Sequence, residues 1–468
     1  MSTMSTMSTK STTSIISVNM DVLRCIFSFY ITGIKDVITM RLVNKMFNRT
    51  ISHVDTWRYL PPIYVKKPIH HLMANIDNLY WYHGFLKVTA TSRHIDDVIE
   101  LSKRQHYLKV DFRNSDVTDV SALGNVYALD LSETKVSDVS ALSHVRELIL
   151  MNTKVVDVSQ LGNVHHLCIV GSAVSDVSAL GNVHTLYLID TDVVDVSALG
   201  NVHRLYLCES KVRDVSALGN VRELNLRSSK VVDVSALTHV YDLYLSRTKV
   251  VDVSALTHVR TLDLSFTRVI DVSALAHVYK LNLQDTNVSD VSMLGNVHTL
   301  NLRGTKVIDV SMLTDVHTLN LSYTYVTDVS ALGHVHTLNL SYGEVTDVSA
   351  LTHVHTLNLS HTPVIDVSML GGVHTLNLTH TRVTDVSGLG NVHTLTLALT
   401  KVVDVSALGN VHTLDLSNTD VVDVSALSRV NTLDLSNTKR VDFSTLGSVR
   451  IRRIHYDYTA LIVSPSDS

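Results

Sequence analysis

Apolar residues recur along most of the chain in one fixed order. In VSALGNVYALDLSETKV, the positions that return in later copies are Val120, Leu123, Val126, Leu129, Leu131 and Val136. An Asp precedes this segment in every copy, from Asp119 to Asp442. Since (442 − 119)/19 = 17, the copies follow one another in seventeen steps of nineteen residues with no insertion, and the Asp occurs eighteen times. A fixed period of this kind predicts a solenoid, in which each repeat packs mainly on its neighbours.

Each repeat contains one strand pattern and one turn pattern. Leu129 and Leu131 flank Asp130, and this alternation predicts a short strand with both leucines pointing inward. In the DVSAL segment, Asp119 is placed to accept the backbone N–H of Ser121. The small residues of that segment favour a tight turn or one 3₁₀ turn over a full helix. Only a neighbouring repeat can complete such a strand, so we expect the copies to stack.

The spacing of the apolar residues resembles the leucine-rich repeat, LxxLxLxxNxL, and DVSAL resembles the start of bacterial internalin repeats. The resemblance covers about 340 residues and implies a leucine-rich-repeat solenoid with a long parallel β-sheet and little helix. A hydroxyl column replaces the usual Asn. From Thr134 to Thr438 it holds thirteen Thr, three Ser (Ser172, Ser210 and Ser229) and Gly343. A hydroxyl can donate and accept, so a ladder of buried hydrogen bonds remains feasible.

Composition narrows the possible functions. The formal net charge of −5 argues against a nucleic-acid-binding surface, and no apolar run reaches the length of a membrane span. Three unpaired cysteines (Cys25, Cys168 and Cys208) indicate a reducing compartment. The N-terminal MSTMSTMSTKSTTS lacks the apolar core of a signal peptide. We therefore expect a cytoplasmic protein with neither nucleic-acid nor membrane partners.

The repeated polar columns do not predict chemistry. One catalytic site does not need eighteen copies, so we interpret the Asp and Ser of DVSAL as turn caps. Histidine also forms columns, but no carboxylate or thiolate column accompanies them, and we interpret them as structural or solvated. We predict no catalytic residue, no metal and no cofactor. The histidines after the Val are 165, 184, 203, 298, 317, 336, 355, 374, 393 and 412, and those before it are 144, 239, 258, 277, 334 and 353.

The N-terminal segment has a helical pattern instead of the repeat. It reads NMDVLRCIFSFYITGIKDVITMRLVNKMFNRTISHVDTWRYL from Asn19 to Leu60 and resembles the F-box. The usual opening Leu-Pro is replaced by Asn19-Met20. The correspondence holds at Leu23, Ile26, Phe27, Ser28, Asp36, Val43, Lys45, Phe47, Ile51, Trp57 and Arg58. The resemblance implies contacts to a Skp-type adaptor through Leu23, Ile26, Phe27, Val43, Phe47 and Trp57. The alternative is a helical cap that covers the first repeat.

An F-box joined to leucine-rich repeats resembles the substrate receptors of cullin–RING ubiquitin ligases, which perform no chemistry themselves. Such a receptor would bind the adaptor and an unknown target protein. The alternative is a non-ligase protein-binding solenoid, either a scaffold or an adhesin, although an adhesin is expected to carry an export signal. Near-identical repeats beside an F-box are also similar to proteins of large DNA viruses of amoebae, which would place the protein in a host cytoplasm or nucleus.

The outward strand positions vary only in part of the chain. From His298 to Leu378 they read mostly Thr-Asn-Ser, which predicts a spacer without large anchors. Between Glu147 and Lys280 they carry large residues, and Tyr187 and Tyr206 are predicted to stack. We predict target binding on a concave surface by Tyr187, Arg204, Tyr206, Arg227 and Tyr244, since Tyr and Arg dominate many interfaces. Divergence by drift is the alternative.

These patterns divide the chain into five segments. A diverged copy precedes the regular repeats, because LKVTATSRHIDDVIEL (Leu86–Leu101) aligns with LKVDFRNSDVTDVSAL (Leu108–Leu123) at an offset of 22. The predicted segments are a disordered tail (1–16), an F-box-like helical domain (17–62), a linker with the diverged capping repeat (63–112), the nineteen-residue repeats (113–450) and a C-terminal cap with tail (451–468).

Overall fold

The computed structural model describes residues 63–65, 69, 73, 86–104, 106–438, 441 and 450–453. The predicted tail and F-box-like domain, 1–62, lie outside the described residues. Two compact units divide the chain, Met1–Val193 and Val194–Ser468.

The described strands of the first unit pair in parallel in chain order. Every pair joins residues one repeat apart, such as Leu129 with Leu148. The diverged repeat pairs Leu86 with Leu108, as the offset of 22 predicts. The strands are β1 (Ile63–Val65), β2 (Leu86–Thr89), β3 (Leu108–Asp111), β4 (Ala128–Asp130), β5 (Glu147–Met151), β6 (His166–Ser172) and β7 (Thr185–Thr191).

The second unit follows the same parallel order, and Leu243, for example, pairs with both Leu224 and Leu262. Its described strands are β8 (Arg204–Tyr206), β9 (Glu223–Asn225), β10 (Asp242–Tyr244), β11 (Thr261–Asp263), β12 (Lys280–Asn282), β13 (Thr299–Asn301), β14 (Thr318–Asn320), β15 (Thr337–Asn339), β16 (Thr356–Asn358), β17 (Thr375–Asn377), β18 (Thr394–Thr396), β19 (Thr413–Asp415), β20 (Thr432–Asp434) and β21 (Arg450–Arg453).

The turn between strands is short, as predicted. In each regular repeat from Asp119 to Asp423, one Asp carboxylate oxygen accepts the backbone N–H two residues later; for Ser121 and Asp119 the distance is 2.9 Å. Twelve described 3₁₀ helices occur, at Ser92–His94, Ser140–Leu142, Ser178–Asn182, Ser197–Leu199, Ser216–Leu218, Ser273–Leu275, Ser292–Leu294, Ser330–Leu332, Ser368–Gly372, Ser387–Leu389, Ser406–Leu408 and Ser425–Arg429.

The diverged repeat differs from the others in its turn. It contains an α-helix, α1 (Ile95–Arg104), and its three additional residues make room for this helix. Asp96 and Asp97 lie in the first turn and Lys103 and Arg104 in the last, so their charges match the helix dipole. Val98 and Leu101 are fully buried, which fastens the helix to the sheet.

The core consists of the predicted apolar columns. Leu129 and Leu131 are 1% and 0% exposed, and the corresponding residues of later repeats are equally buried. Each repeat therefore contributes a thin layer of Leu and Val that is closed on both sides by identical layers. The predicted leucine-rich-repeat solenoid with a parallel sheet and little helix is confirmed for the described residues.

A polar side chain ends most strands. Asn320, the last residue of β14, accepts the backbone N–H of Ser322 at 3.0 Å through its side-chain oxygen. Twelve described repeats have Asn or Asp at this position, and all twelve make this bond. These residues belong to the strands and also bind the backbone that follows them. They are structural caps of the strand end.

Strand length follows from that position. β5, β6 and β7 carry Ile149, Cys168 and Tyr187 where twelve other described repeats have Asn or Asp, and they extend to five or seven residues. β10 has Tyr244 there but remains three residues long, and both its neighbours end in a capping residue, Asn225 and Asp263. A longer ladder thus needs adjacent strands that both lack the cap, since each bridge requires two extended partners.

Thr and Ser in the hydroxyl column differ in whether their hydroxyl makes a hydrogen bond. Each described Thr donates its hydroxyl to the carbonyl of the Leu three residues earlier, for example Thr324 to Leu321 at 2.6 Å, so these bonds lie within repeats. Ser172, Ser210 and Ser229, and Ser115 one repeat before Thr134, have buried hydroxyls without a partner among the described residues. The γ-methyl of Thr restricts χ1, which explains why only Thr holds its hydroxyl toward the carbonyl.

We predict that Ser210→Thr and Ser229→Thr stabilise their repeats. Each change should complete a buried hydrogen bond contributing about 1 kcal/mol. Neighbouring repeats already accommodate Thr here, so the added methyl should fit. Hydrogen exchange of the local backbone amides should slow in these variants, while Thr267→Ser should have the opposite effect. Unchanged exchange in all three variants would show that the hydroxyl contributes nothing.

Candidate functional site

The outward strand face of the second unit brings together part of the predicted binding residues. Tyr206 on β8 donates its hydroxyl to a carboxylate oxygen of Glu223 on β9, at 2.5 Å. Arg204 contacts the other oxygen of that carboxylate at 3.3 Å. Glu223, which the sequence analysis did not single out, therefore connects two of the predicted residues. Only side-chain positions could reveal this role.

The other predicted residues lie near this group or outside it. Tyr244 on β10 is half-buried, and burial, followed by the nearby carboxylates of Asp242 and Glu223, raises its pKa. Arg227 is exposed and its charge lies near the Cys208 thiol. Tyr187 belongs to β7 of the first unit, so its predicted stacking on Tyr206 remains a prediction.

The tyrosines occupy the capping position of the strand end. Between Ile149 and Tyr244, only Asn225 keeps the acceptor, and the remaining five residues cannot accept the N–H two positions later. A hydrogen bond of this kind contributes about 1 kcal/mol. In the first unit longer strands offset the loss, whereas β8 and β10 remain three residues long. Tyr206 and Tyr244 therefore replace a structural contact with a partly exposed ring.

A second aromatic group lies where the sequence predicted a spacer. The rings of Tyr323, Tyr342, His361 and His380 stack in order, with centroids 4.4, 4.2 and 4.6 Å apart, and the Arg303 guanidinium lies 4.2 Å from the Tyr323 centroid. Tyr323 and Tyr342 are 44% and 45% exposed. The outward strand positions of this region are Thr and Asn, as the sequence indicates, and these aromatic side chains lie in a separate column three residues after the strand-end Asn.

These residues occupy a strained backbone column. Residues three positions after the strand-end Asn or Asp have positive φ in successive repeats. Most of the residues at this position are Asn, Asp, Glu, Ser or Gly. Phe266, Tyr323, Tyr342 and Leu399 also adopt it, with φ of 58–59°. Bulky residues are unfavourable in this region. Stacking between repeats offsets part of that cost for the two tyrosines.

The histidine column is also a continuous stack. Seven imidazoles from His298 to His412 lie with neighbouring centroids 4.5–4.7 Å apart. In six of these seven, Nδ1 lies 3.2–3.3 Å from the hydroxyl of the following Thr, which orients the ring. Partial desolvation and then the two flanking imidazoles lower the pKa of His336 and His374.

The remaining ionisable groups of the described residues include a buried thiol and the carboxylates of the DVSAL turns. Burial raises the pKa of the Cys168 thiol to about 11, so it stays protonated and unreactive. The backbone N–H of the following Ser lowers the pKa of the DVSAL carboxylates, as at Asp347, and keeps them charged. Within the described ranges, no group of three or more His, Cys, Asp or Glu could hold a metal ion. No helix of the described residues has the length and apolar character to cross a membrane.

No protein-family model and no curated protein matches the sequence. Among solved structures, the chain is similar to the functional domain of InlJ from Listeria monocytogenes, with a TM-score of 0.52 and 20% identity over 72% of this chain and 79% of that one. It is also similar to a leucine-rich-repeat protein of Leptospira interrogans, with a TM-score of 0.48 and 19% identity over 75% and 94%.

The InlJ domain includes a cysteine ladder. Here Cys168 and Cys208 lie in different columns, because their separation of 40 residues is not a multiple of nineteen. At this level of identity the likeness shows the fold alone. Together with the parallel register and the buried Leu columns, it establishes that the described repeats form a leucine-rich-repeat solenoid.

We predict that the solenoid is more stable at pH 8 than at pH 5.5. The folded-state pKa of His336 and His374 lies below the ordinary value, so the unfolded chain binds more protons. This stability is complete above the unfolded pKa of about 6.5 and is lost as pH falls below it. Thermal melts at both pH values measure the difference.

The variant His336→Gln, His374→Gln is the control, and it should show a smaller loss of melting temperature between pH 8 and pH 5.5. The capping Asp residues do not interfere, because their lowered pKa makes their contribution fall only near pH 4 and below. A melting temperature at pH 5.5 equal to or above that at pH 8 would contradict the prediction.

Proposed function

We propose that the chain is a recognition solenoid that binds a protein through the outward strand face around Tyr206 and Tyr244, with Arg204 and Arg227 contributing. Tyr187, on a strand of the first unit, stays a predicted target-binding residue in its own right. The observation that carries this proposal is the replacement of the strand-end cap by Tyr. A requirement for stability alone would keep a capping residue whose hydrogen bond contributes about 1 kcal/mol.

The chemistry of this face fits protein recognition. Tyr and Arg are enriched among residues that dominate binding energy, since they combine a large contact area with hydrogen-bonding groups. Glu223 holds Arg204 and Tyr206 in place before a partner arrives. Such preorganisation reduces the entropy lost on binding. Binding of this kind requires no chemical step of these residues.

We further propose the finer role of a substrate receptor in a cullin–RING ubiquitin ligase, working in the cytoplasm or, for a viral protein, in a host cytoplasm or nucleus. It rests on the F-box resemblance alone. The implied adaptor-binding residues Leu23, Ile26, Phe27, Val43, Phe47 and Trp57 lie outside the described residues. A solenoid that binds protein without an adaptor is the alternative.

Replacing Tyr206 and Tyr244 with Asn should reduce target capture while folding is preserved. Asn recreates the strand-end cap that Asn225 provides between them. Loss of an interface aromatic often costs ~2 kcal/mol, about thirtyfold in affinity. Quantitative affinity capture followed by mass spectrometry measures partner loss, and circular dichroism melts report folding.

The matched control is Asn320→Asp with Asn339→Asp. An Ala substitution would remove a cap, whereas Asp keeps the acceptor, as Asp263 and Asp415 show in this chain. The control should retain the partners that the Tyr variant loses. Equal loss in both variants would place the recognition surface elsewhere.

Replacing Leu23, Ile26 and Phe27 with Ala should abolish co-purification of a Skp-type adaptor, because these residues supply the apolar surface that the F-box resemblance implies. Partners captured by the strand face should remain bound, since the solenoid core is built from its own repeats. Co-purification of purified adaptor with the full chain is the measurement. Retained adaptor binding would favour the helical-cap alternative.

A further inference from the structure

Arg and Tyr alternate at the amino ends of strands β9 to β12. The Arg222 guanidinium lies 4.8 Å from the Tyr241 ring centroid, and the Arg260 guanidinium lies 5.7 Å from Tyr241 and 4.8 Å from Tyr279. Arg260 also donates to the Tyr241 hydroxyl at 2.7 Å. The Tyr279 ring stacks on His298 at 4.5 Å. We call Arg222, Tyr241, Arg260 and Tyr279 the Arg–Tyr ladder.

The backbone fixes the order of this ladder. The N–H of Tyr241 donates to the carbonyl of Arg222, that of Arg260 to Tyr241, and that of Tyr279 to Arg260, at 2.9–3.0 Å. The four residues therefore lie on adjacent repeats in register. Their side chains cannot change order without breaking the sheet. Stacking against rings also restricts the guanidinium groups, which lowers the entropy that they lose on binding.

The ladder carries positive charge that the described residues do not pair. Among the described residues, no carboxylate lies within 4.0 Å of the Arg222 or Arg260 guanidinium or the neighbouring Lys280 ammonium. Arg222 and Arg260 are exposed. Two strand-face acids directly follow ladder residues in sequence, Glu223 and Asp242, and Glu223 is already engaged by Tyr206 and Arg204. Because Tyr241 lies between the two guanidinium groups, a ligand meets mainly their outer N–H edges.

Basic residues concentrate in this stretch. Residues 204–280 hold eleven Lys/Arg and eight Asp/Glu, so 11 − 8 = +3. Four of those acids, Asp214, Asp233, Asp252 and Asp271, belong to the DVSAL turns. Residues 281–438 hold five Lys/Arg and fourteen Asp/Glu, so 5 − 14 = −9. The partner that fits the Arg–Tyr ladder is consequently anionic, and planar guanidinium edges favour bidentate contact with carboxylates.

The spacing selects one peptide conformation. Arg222 and Arg260 are two repeats apart, which corresponds to about 9.4–9.8 Å along the sheet. A polyproline II peptide advances ~3.1 Å per residue with three residues per turn, so acidic side chains at every third position lie on one face about 9.3 Å apart. In a β-strand, residues three apart point to opposite faces. Aromatic side chains also favour polyproline II segments.

We propose that the Arg–Tyr ladder binds an acidic protein segment in polyproline II conformation, with a carboxylate at every third residue. The segment runs along the repeats and places successive carboxylates on Arg222 and Arg260. This surface lies on a different column from Tyr206 and Tyr244. Its binding is therefore independent of the strand-face site, and failure of one does not imply failure of the other.

Titration of the full chain with a synthetic peptide of Glu-Pro-Pro units tests this proposal by isothermal calorimetry at low ionic strength. A Glu-Pro peptide with the same number of Glu is the spacing control and should bind more weakly. Arg222→Gln with Arg260→Gln should weaken binding by about tenfold or more. The corresponding Lys variant should be intermediate, because it keeps the charge without the planar fork.

The matched control is Arg247→Gln with Arg268→Gln, which removes the same charge from the same stretch. Arg247 stacks on Phe266 in another column, so this variant should retain binding. Tyr206→Asn with Tyr244→Asn should also retain it. Absence of binding to the Glu-Pro-Pro peptide, or equal losses in the two Arg variants, would overturn the proposal. Equal affinity for both peptides would overturn the polyproline II spacing.

Discussion

Backbone hydrogen bonds between neighbouring repeats are the interaction on which the rest of the structure depends. Bonds within a repeat are confined to short turns, such as that from Val139 to Leu142, whereas the strand N–H groups find their acceptors in a neighbouring repeat, as Leu131 does at Ile149 and Glu147 at Tyr127. Each repeat is therefore a template for the next. The inward Leu and Val must stay nearly constant because their layer contacts two identical layers.

Because the repeats pair in register, residues at the same outward position of successive repeats lie side by side and form a column. A single substitution changes one residue, but its neighbours nineteen residues away lie within stacking distance. Imidazoles, tyrosines and guanidinium groups can thus form long ladders without any change in the core. The histidine stack and the Tyr323–His380 stack are two examples of this arrangement.

Capping residues connect stability with surface chemistry. Asn or Asp at the strand end binds the N–H two residues later, and its replacement either lengthens the strand or leaves the bond unmade. The first unit shows lengthening at β5 to β7, whereas the second unit keeps β8 and β10 short. A large side chain that occupies such a position in place of the cap gives up this bond and gains an outward contact surface.

The sequence by itself determined the period, the inward Leu and Val columns, the parallel strand order and the Asp-capped turns. These follow from local spacing, since the alternation at Leu129 and Leu131 and the two-residue reach of Asp119 need no knowledge of distant residues. It also located Arg204, Tyr206 and Tyr244 on one strand face.

Only the tertiary structure decided the contacts between columns. Glu223 joins Arg204 to Tyr206, and the Arg–Tyr ladder forms, because rotamers and the lateral distance between repeats are not encoded in one repeat. The Tyr323 stack depends on a positive φ that the pattern does not reveal. The length of a strand depends on both strands of each pair. The hydrogen bond from the hydroxyl column to the Leu carbonyl depends on the restricted χ1 of Thr. Each of these outcomes depends on neighbouring strands, so no single repeat could specify it.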